Sequence, residues 1–244
     1  MMPGETVAAG GRNVYGVPVG ILMTQSRFPR IPGDAGNART WPFPVLYRIV
    51  PGAGPGRVVR SGPDPAVLGP FADAARELEA AGVDVVTTNC GFLVLLQREL
   101  QATLRVPFLS SSLLQVPWVA GLLPPGRRVG VLTVERRSLT RAHLAAAGID
   151  DALGVPVVGM DETAGYFTET ILGDQPELDV ARARAEHEDA ARLLLERHPD
   201  VGAIVLECTN MPPYAEAIRR VTGLPTYDVR TLVGWAALAC GADA

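Results

Sequence analysis

The sequence contains no lysine: all 22 of its basic side chains are arginine. A pyridoxal-phosphate enzyme needs a lysine for its Schiff base, and a P-loop needs one for its phosphates, so both chemistries are excluded. No apolar run reaches the ~18 residues that span a bilayer, and no membrane partner is expected. Surplus positive charge is missing too, the formal net charge being −4. Without it phosphates go unneutralised, which argues against nucleic acid as a partner. Residues 1–16 lack a basic start followed by an apolar core, so no signal peptide is predicted. Three cysteines make no disulfide framework, and with no export signal a reducing cytoplasm is the expected location. Histidine is equally scarce. His143 and His187 fall inside predicted helices, and His198 at a helix end, where the dipole accounts for it. With none at a strand end, a Cys–His hydrolase finds little support. No Cys or His pair has zinc-ligand spacing, and no cofactor is expected.

The composition that remains suits a large core: 244 residues, 48% hydrophobic and 20% charged, enough for one large domain or two small ones. Residues 1–13, rich in Gly and Ala, are expected to fray. Strands are predicted over 17–23 and 45–50, separated by an irregular stretch, 27–44, with prolines at 29, 32, 42 and 44. Its Arg27, Arg30, Asn37 and Arg39 suit a lid over an anionic ligand, and equally a solvated surface loop. A helix over 70–81, a strand over 83–89 and a helix over 92–104 follow, then a short strand, 106–109, ending in three serines. An apolar helix spans 113–123.

The second half restarts the pattern. Strands are predicted at 128–134, 155–160, 201–206 and 225–229, and helices at 138–147, 178–198, from Pro212 and at 232–240. This alternation predicts an α/β protein of parallel sheets covered by helices.

The halves superpose in sequence. Cys90 and Cys208 lie 118 residues apart, and so do Pro107 and Pro225. Each cysteine ends a central strand, the place where ligands collect in open parallel sheets. Two such units facing each other across a pseudo-twofold axis would oppose their cysteines across a cleft. The predicted lobes are 1–113, joined by the final helix over 232–244, and 114–231.

Both cysteines sit at predicted helix starts, where the dipole lowers a thiol's pKa. One thiolate and one thiol can take a proton from one face of a carbon and return one to the other, inverting a stereocentre without metal, flavin or pyridoxal. The developing enolate needs preorganised N–H groups and hydroxyls. Thr88, Asn89, Ser111 and Asn210 are the side chains expected around the substrate carboxylate, and Gly91 allows close backbone approach. Cys240, in an apolar helix, reads instead as a small buried hydrophobe. Glu207 reads as structural, because neighbours on a strand point to opposite faces. Tyr166 reads as a core residue.

The stretches Thr88-Asn89-Cys90-Gly91 and Glu207-Cys208-Thr209-Asn210 resemble those of the aspartate/glutamate/hydantoin racemase superfamily, over most of the chain. The resemblance implies two pseudo-symmetric flavodoxin-like lobes with the site between them and the last helix returning to the first. It implies Cys90 and Cys208 as acid and base, with Gln25, Asn89, Gly91, Thr209 and Asn210 around the substrate. Glutamate racemases of this kind open with Asp-Ser-Gly after the first strand and follow the second cysteine with Thr-His. Here those places read Met23-Thr24-Gln25-Ser26 and Thr209-Asn210, which argues against glutamate. The expected activity is a racemase or epimerase acting on a small amino acid or related carboxylate. A maleate-type cis-trans isomerase with a cysteine nucleophile is the alternative, ahead of a decarboxylase or a non-catalytic binding protein. The oligomeric state is left open, a homo-oligomer included.

Overall fold

A computed structural model describes residues 10–11, 14–62 and 64–241. Most of the stretch expected to fray, and the last three residues of the final predicted helix, lie outside these.

Eight strands form two four-stranded parallel sheets. β1 (Val19–Thr24), β2 (Val45–Val50), β3 (Val85–Thr88) and β4 (Phe108–Leu109) make the first, in the order β2-β1-β3-β4. β5 (Arg128–Thr133), β6 (Val157–Gly159), β7 (Val201–Leu206) and β8 (Thr226–Tyr227) make the second, in the equivalent order β6-β5-β7-β8. This is the expected fold class, α/β in two lobes of one construction. β1 is buried at every residue and β7 at all but Gly202, as sheets covered on both faces require.

The helices are α1 (Pro55–Val58), α2 (Pro65–Ala81), α3 (Gln97–Gln101), α4 (Val116–Leu122), α5 (Arg141–Ala146), α6 (Tyr166–Leu172), α7 (Val180–Arg197), α8 (Ala215–Thr222) and α9 (Val229–Ala239). Three depart from the sequence reading. α2 begins before Pro70, because the Asp64 side chain accepts the Ala66 N–H and Pro65 occupies the first turn, where its missing N–H costs nothing. The segment expected as one helix over 92–104 opens as a 3-10 helix, Gly91–Leu96, and turns α-helical only at Gln97. Its side chains go to two cores: Phe92 and Val94 join the cluster around the second sheet, while Leu93 and Leu96 join that of the first. An element buried on opposite sides has no single apolar stripe for a regular α-helix to present.

The third departure is at the end. α9 begins at Val229, inside the stretch expected as strand. The buried Asp228 caps it, accepting from the N–H groups of Arg230 and Thr231, while the Thr231 hydroxyl accepts the Asp228 N–H. Val229, Val233, Ala236 and Ala237 of α9 pack on Val19, Ile21, Met23 and Val85 of the first sheet. Cys240 is the cap residue past this apolar stripe, and it is exposed rather than buried.

No helix among the described residues is long and apolar enough to cross a membrane. Asp228→Ala removes the cap of α9 and unpairs Arg230, and is expected to cost about 2 kcal/mol of stability. The urea midpoint should fall while the slope of the transition stays unchanged.

Candidate active site

In each sheet the chain order reverses between the first and third strands, at β1/β3 and at β5/β7. A crevice opens beyond the carboxyl ends of the strands at such a point. The two crevices share one pocket of ≈ 360 Å³, partly open to solvent. It lies at the small end of the ~300–1,000 Å³ typical of ligand sites. Thr24, Asn89, Cys90, Gly91 and Phe92 line it from the first lobe, and Val134, Ile171, Glu207, Cys208 and Asn210 from the second. Phe28, Pro55 and Val59 complete the wall. Among these residues Glu207 carries the one carboxyl, and no arginine or histidine is present.

The two thiols are thus brought to one cavity, and both are free. Their ionisation departs from the sequence expectation. Burial pushes the Cys90 thiol up to about 12, the charge of Glu207 adds to it, and the N–H groups of Phe92 and Leu93 pull only partly back. Cys208 is raised well above the ordinary thiol value, again by burial first and Glu207 second, against the Asn210 N–H. A 3-10 turn and a tight loop follow the two cysteines rather than α-helices, so no macrodipole offsets the desolvation.

Asn89 clips the ends of two strands together. Its Oδ1 accepts the Thr24 N–H at 2.7 Å and its Nδ2 donates to Thr24 Oγ1 at 3.1 Å. Thr88 caps the same turn, its hydroxyl accepting from the Cys90 N–H. Asn210 accepts from the Cys208 thiol at 3.4 Å and donates to Asp34 Oδ2 at 2.6 Å. Each amide keeps one N–H for a ligand.

Gln25, Ser111 and Thr209 do not line the pocket. Gln25 turns outward to accept the Gly52 N–H, and Thr24 holds the place expected for it. Ser111 caps the turn at Leu113 from behind Gly91. The Thr209 hydroxyl donates across the lobes to the Asn89 carbonyl. Tyr166 also stands elsewhere, its hydroxyl accepting the Asp179 N–H under the Arg182 guanidinium.

Glu207 is the residue that the strand argument misplaced. β7 ends at Leu206, so alternation no longer separates Glu207 from Cys208, and both reach the pocket. The carboxyl is fully buried. Its Oε2 accepts from Thr133 Oγ1 at 2.8 Å, and its Oε1 has no partner. Burial pushes it up to about 8 against the hydrogen bonds from Thr133 and the Val134 N–H. The signal was in the sequence: Glu207 stands 118 residues after Asn89, itself assigned to the site.

The 27–44 stretch straps across the cleft. Phe28 enters the pocket wall, Arg27 binds Asp174 of the second lobe, and Gly33 packs on Pro213. Arg30 pairs with Asp34 at 2.9 Å and lies over the Phe28 ring. The arginines read as ligands for an anion are therefore committed to carboxylates of the chain itself, or, as Arg39, stand outside the pocket.

The fold is matched by a cysteine variant of arylmalonate decarboxylase in a sulfate-associated form (TM-score 0.59, 17% identity, 92% of this chain and 94% of that one). It is matched too by glutamate racemase from Francisella tularensis in complex with D-glutamate (TM-score 0.53, 17% identity, 92% and 80%). No family model matches the sequence. The chain belongs to the aspartate/glutamate/hydantoin racemase superfamily. Its sequence relatives there are lyases. It is 30% identical over 222 residues to a dimethylsulfoniopropionate lyase of Durusdinium sp. clade D, covering 88% of this chain and 72% of that protein. It is 28% identical over 220 residues to dimethylsulfoniopropionate lyase 7 of Emiliania huxleyi, covering 87% of this chain and 64% of the relative.

Two outcomes follow from the site's packing. A Cβ on Gly91 would strike the carboxyl and the carbonyl of Glu207, so Gly91→Ala should cost about 1–3 kcal/mol and roughly 10²-fold in turnover, read by urea titration and steady-state kinetics. Glu207 holds its proton more tightly folded than unfolded, so its contribution to stability is lost as pH rises from 4.5 to 8. Melting temperatures across that window should fall more steeply for the wild type than for Glu207→Gln.

Proposed function

We propose that the chain is a cofactor-independent enzyme that removes the proton next to the carboxylate of a small substrate, and that elimination follows: a lyase acting on dimethylsulfoniopropionate. The observation that carries this reading is that the thiols of Cys90 and Cys208 share one small pocket lined by no histidine or arginine. The lyases among the sequence relatives supply the substrate.

A thiolate takes the α-proton, the electron pair becomes the carbon–carbon double bond, and the bond to sulfur breaks with its pair going to sulfur. Dimethyl sulfide leaves as a neutral molecule and acrylate remains. The second N–H of Asn89, that of Asn210 and the backbone at Gly91 are placed to hold the carboxylate as charge moves onto it. A dicarboxylate such as aspartate would have no cation in the pocket to meet its second carboxylate. The raised thiol values mean that the base form grows with pH. A positively charged substrate beside the sulfur favours that form at lower pH.

One observation favours a second reading. The cysteines occupy equivalent positions in the two lobes, as a racemase requires. The outcomes separate on the cysteine variants. Elimination needs one base, so of Cys90→Ala and Cys208→Ala one should lose turnover by about 10³-fold or more, while the other keeps a measurable rate. Gas chromatography of dimethyl sulfide and acrylate, released in equal amounts, reads this. If amino acids instead gain α-deuterium in heavy water, with both thiols essential and no dimethyl sulfide released, the racemase reading holds and the lyase reading is wrong.

A further inference from the structure

The pseudo-twofold relation places Asn89 and Glu207 at equivalent positions, each just before a cysteine of the site. Their environments differ. Asn89 is satisfied at both its oxygen and its nitrogen by Thr24. Glu207 is satisfied at Oε2 by Thr133, while Oε1 is buried in the pocket wall without a partner. A buried carboxyl oxygen with no donor is costly, by ~1–3 kcal/mol for an unmet polar group and more when charged. Space is kept for this carboxyl at the expense of a side chain, since any Cβ on Gly91 would strike Oε1. Phenyl rings stand in the same wall, Phe28 and Phe92, whose faces attract cations. The pocket holds no arginine or histidine to compete for the carboxylate.

We infer that Glu207, with Phe28 and Phe92, forms a cation subsite that selects small zwitterions bearing an onium group on the carbon β to their carboxylate. This rests on the site assigned above and adds the residue that sets its specificity. Oε1 supplies the countercharge and the rings the apolar, electron-rich contact for the methyl groups. The carboxylate end of the ligand is left to Asn89 and Asn210. The subsite also breaks the symmetry of the two lobes. A positive centre beside Glu207 fixes which end of the substrate enters the second lobe, so the two thiols meet different atoms.

In the empty pocket the carboxyl is largely protonated at neutral pH, and a bound cation replaces that proton. The titratable and charged groups around it are Cys90 and Cys208, with Arg30 and Asp34 of the strap beyond them. The thiols stay protonated at pH 8 in the empty site, so proton release on binding at that pH belongs to Glu207.

The test uses two ligands of equal size that differ in charge: 3-(dimethylammonio)propionate and its neutral isostere 4-methylpentanoate. Calorimetric Kd values at pH 8 should favour the cation at least tenfold in the wild-type protein. Glu207→Gln should erase the preference while binding 4-methylpentanoate as well as, or better than, the wild type does. Equal affinity of the wild-type protein for the two ligands overturns the subsite, and needs no variant to be seen. A loss in Glu207→Gln that falls equally on both ligands also overturns it. Because this readout is binding, it separates from the lyase reading. A protein that prefers the cation tenfold yet releases no dimethyl sulfide keeps the subsite and loses the reaction.

Discussion

The two lobes close on each other across Gly91, where the backbone of the first lobe lies against the carboxyl and carbonyl of Glu207 from the second. No side chain fits between them. Everything that makes the pocket depends on this approach. It brings Cys90 and Cys208 to one cavity and carries the Thr209 hydroxyl onto the Asn89 carbonyl. It also sets Ser112 of the first lobe's last turn to donate to the carbonyl of Leu206. Looser packing would admit water and leave these buried donors and acceptors unmet, at ~1–3 kcal/mol each. The constraint is a steric one first, and the polar contacts are satisfied because it holds.

On that frame the site is symmetric in backbone and asymmetric in charge. Both sheets present the same strand order and the same cysteine, so the scaffold offers two equivalent places for a proton-transferring group. The residues beside them break the equivalence, with a saturated amide in one lobe and a carboxyl with an open oxygen in the other. The strap from Arg27 to Pro44 adds to this, since it originates in the first lobe and is held by Asn210 and Asp174 of the second. Its Arg30–Asp34 pair lies mostly buried beside the cysteines, and its Phe28 closes the wall. Superfamily members whose names include racemase, decarboxylase and lyase share this scaffold. What distinguishes one chemistry from another is therefore sought in such neighbours, not in the fold.

Much of the architecture was legible because it rests on local and periodic signals. The apolar strands, the alternation with helices and the 118-residue echo of Cys90 in Cys208 all lie in the linear order of residues. Repeated sequence implied repeated lobes, and strand ends implied the site. Boundaries were less legible where a single side chain sets them. Asp64 and Asp228 start their helices by capping, and both signals were present but outweighed by Pro70 and by the apolar run after Pro225.

The sequence by itself determined the two lobes, their cysteines and the absence of a lysine-based cofactor, because each follows from residue type and spacing. Only the tertiary structure decided what surrounds the thiols. Burial, which depends on both lobes together, raises the cysteines instead of the helix ends lowering them. Where β7 stops decides that Glu207 turns into the pocket, and the course of the strap decides that its arginines meet carboxylates of the chain rather than an anionic ligand. Desolvation and the direction of a side chain past a strand's end are properties of the folded assembly, and no local pattern encodes them.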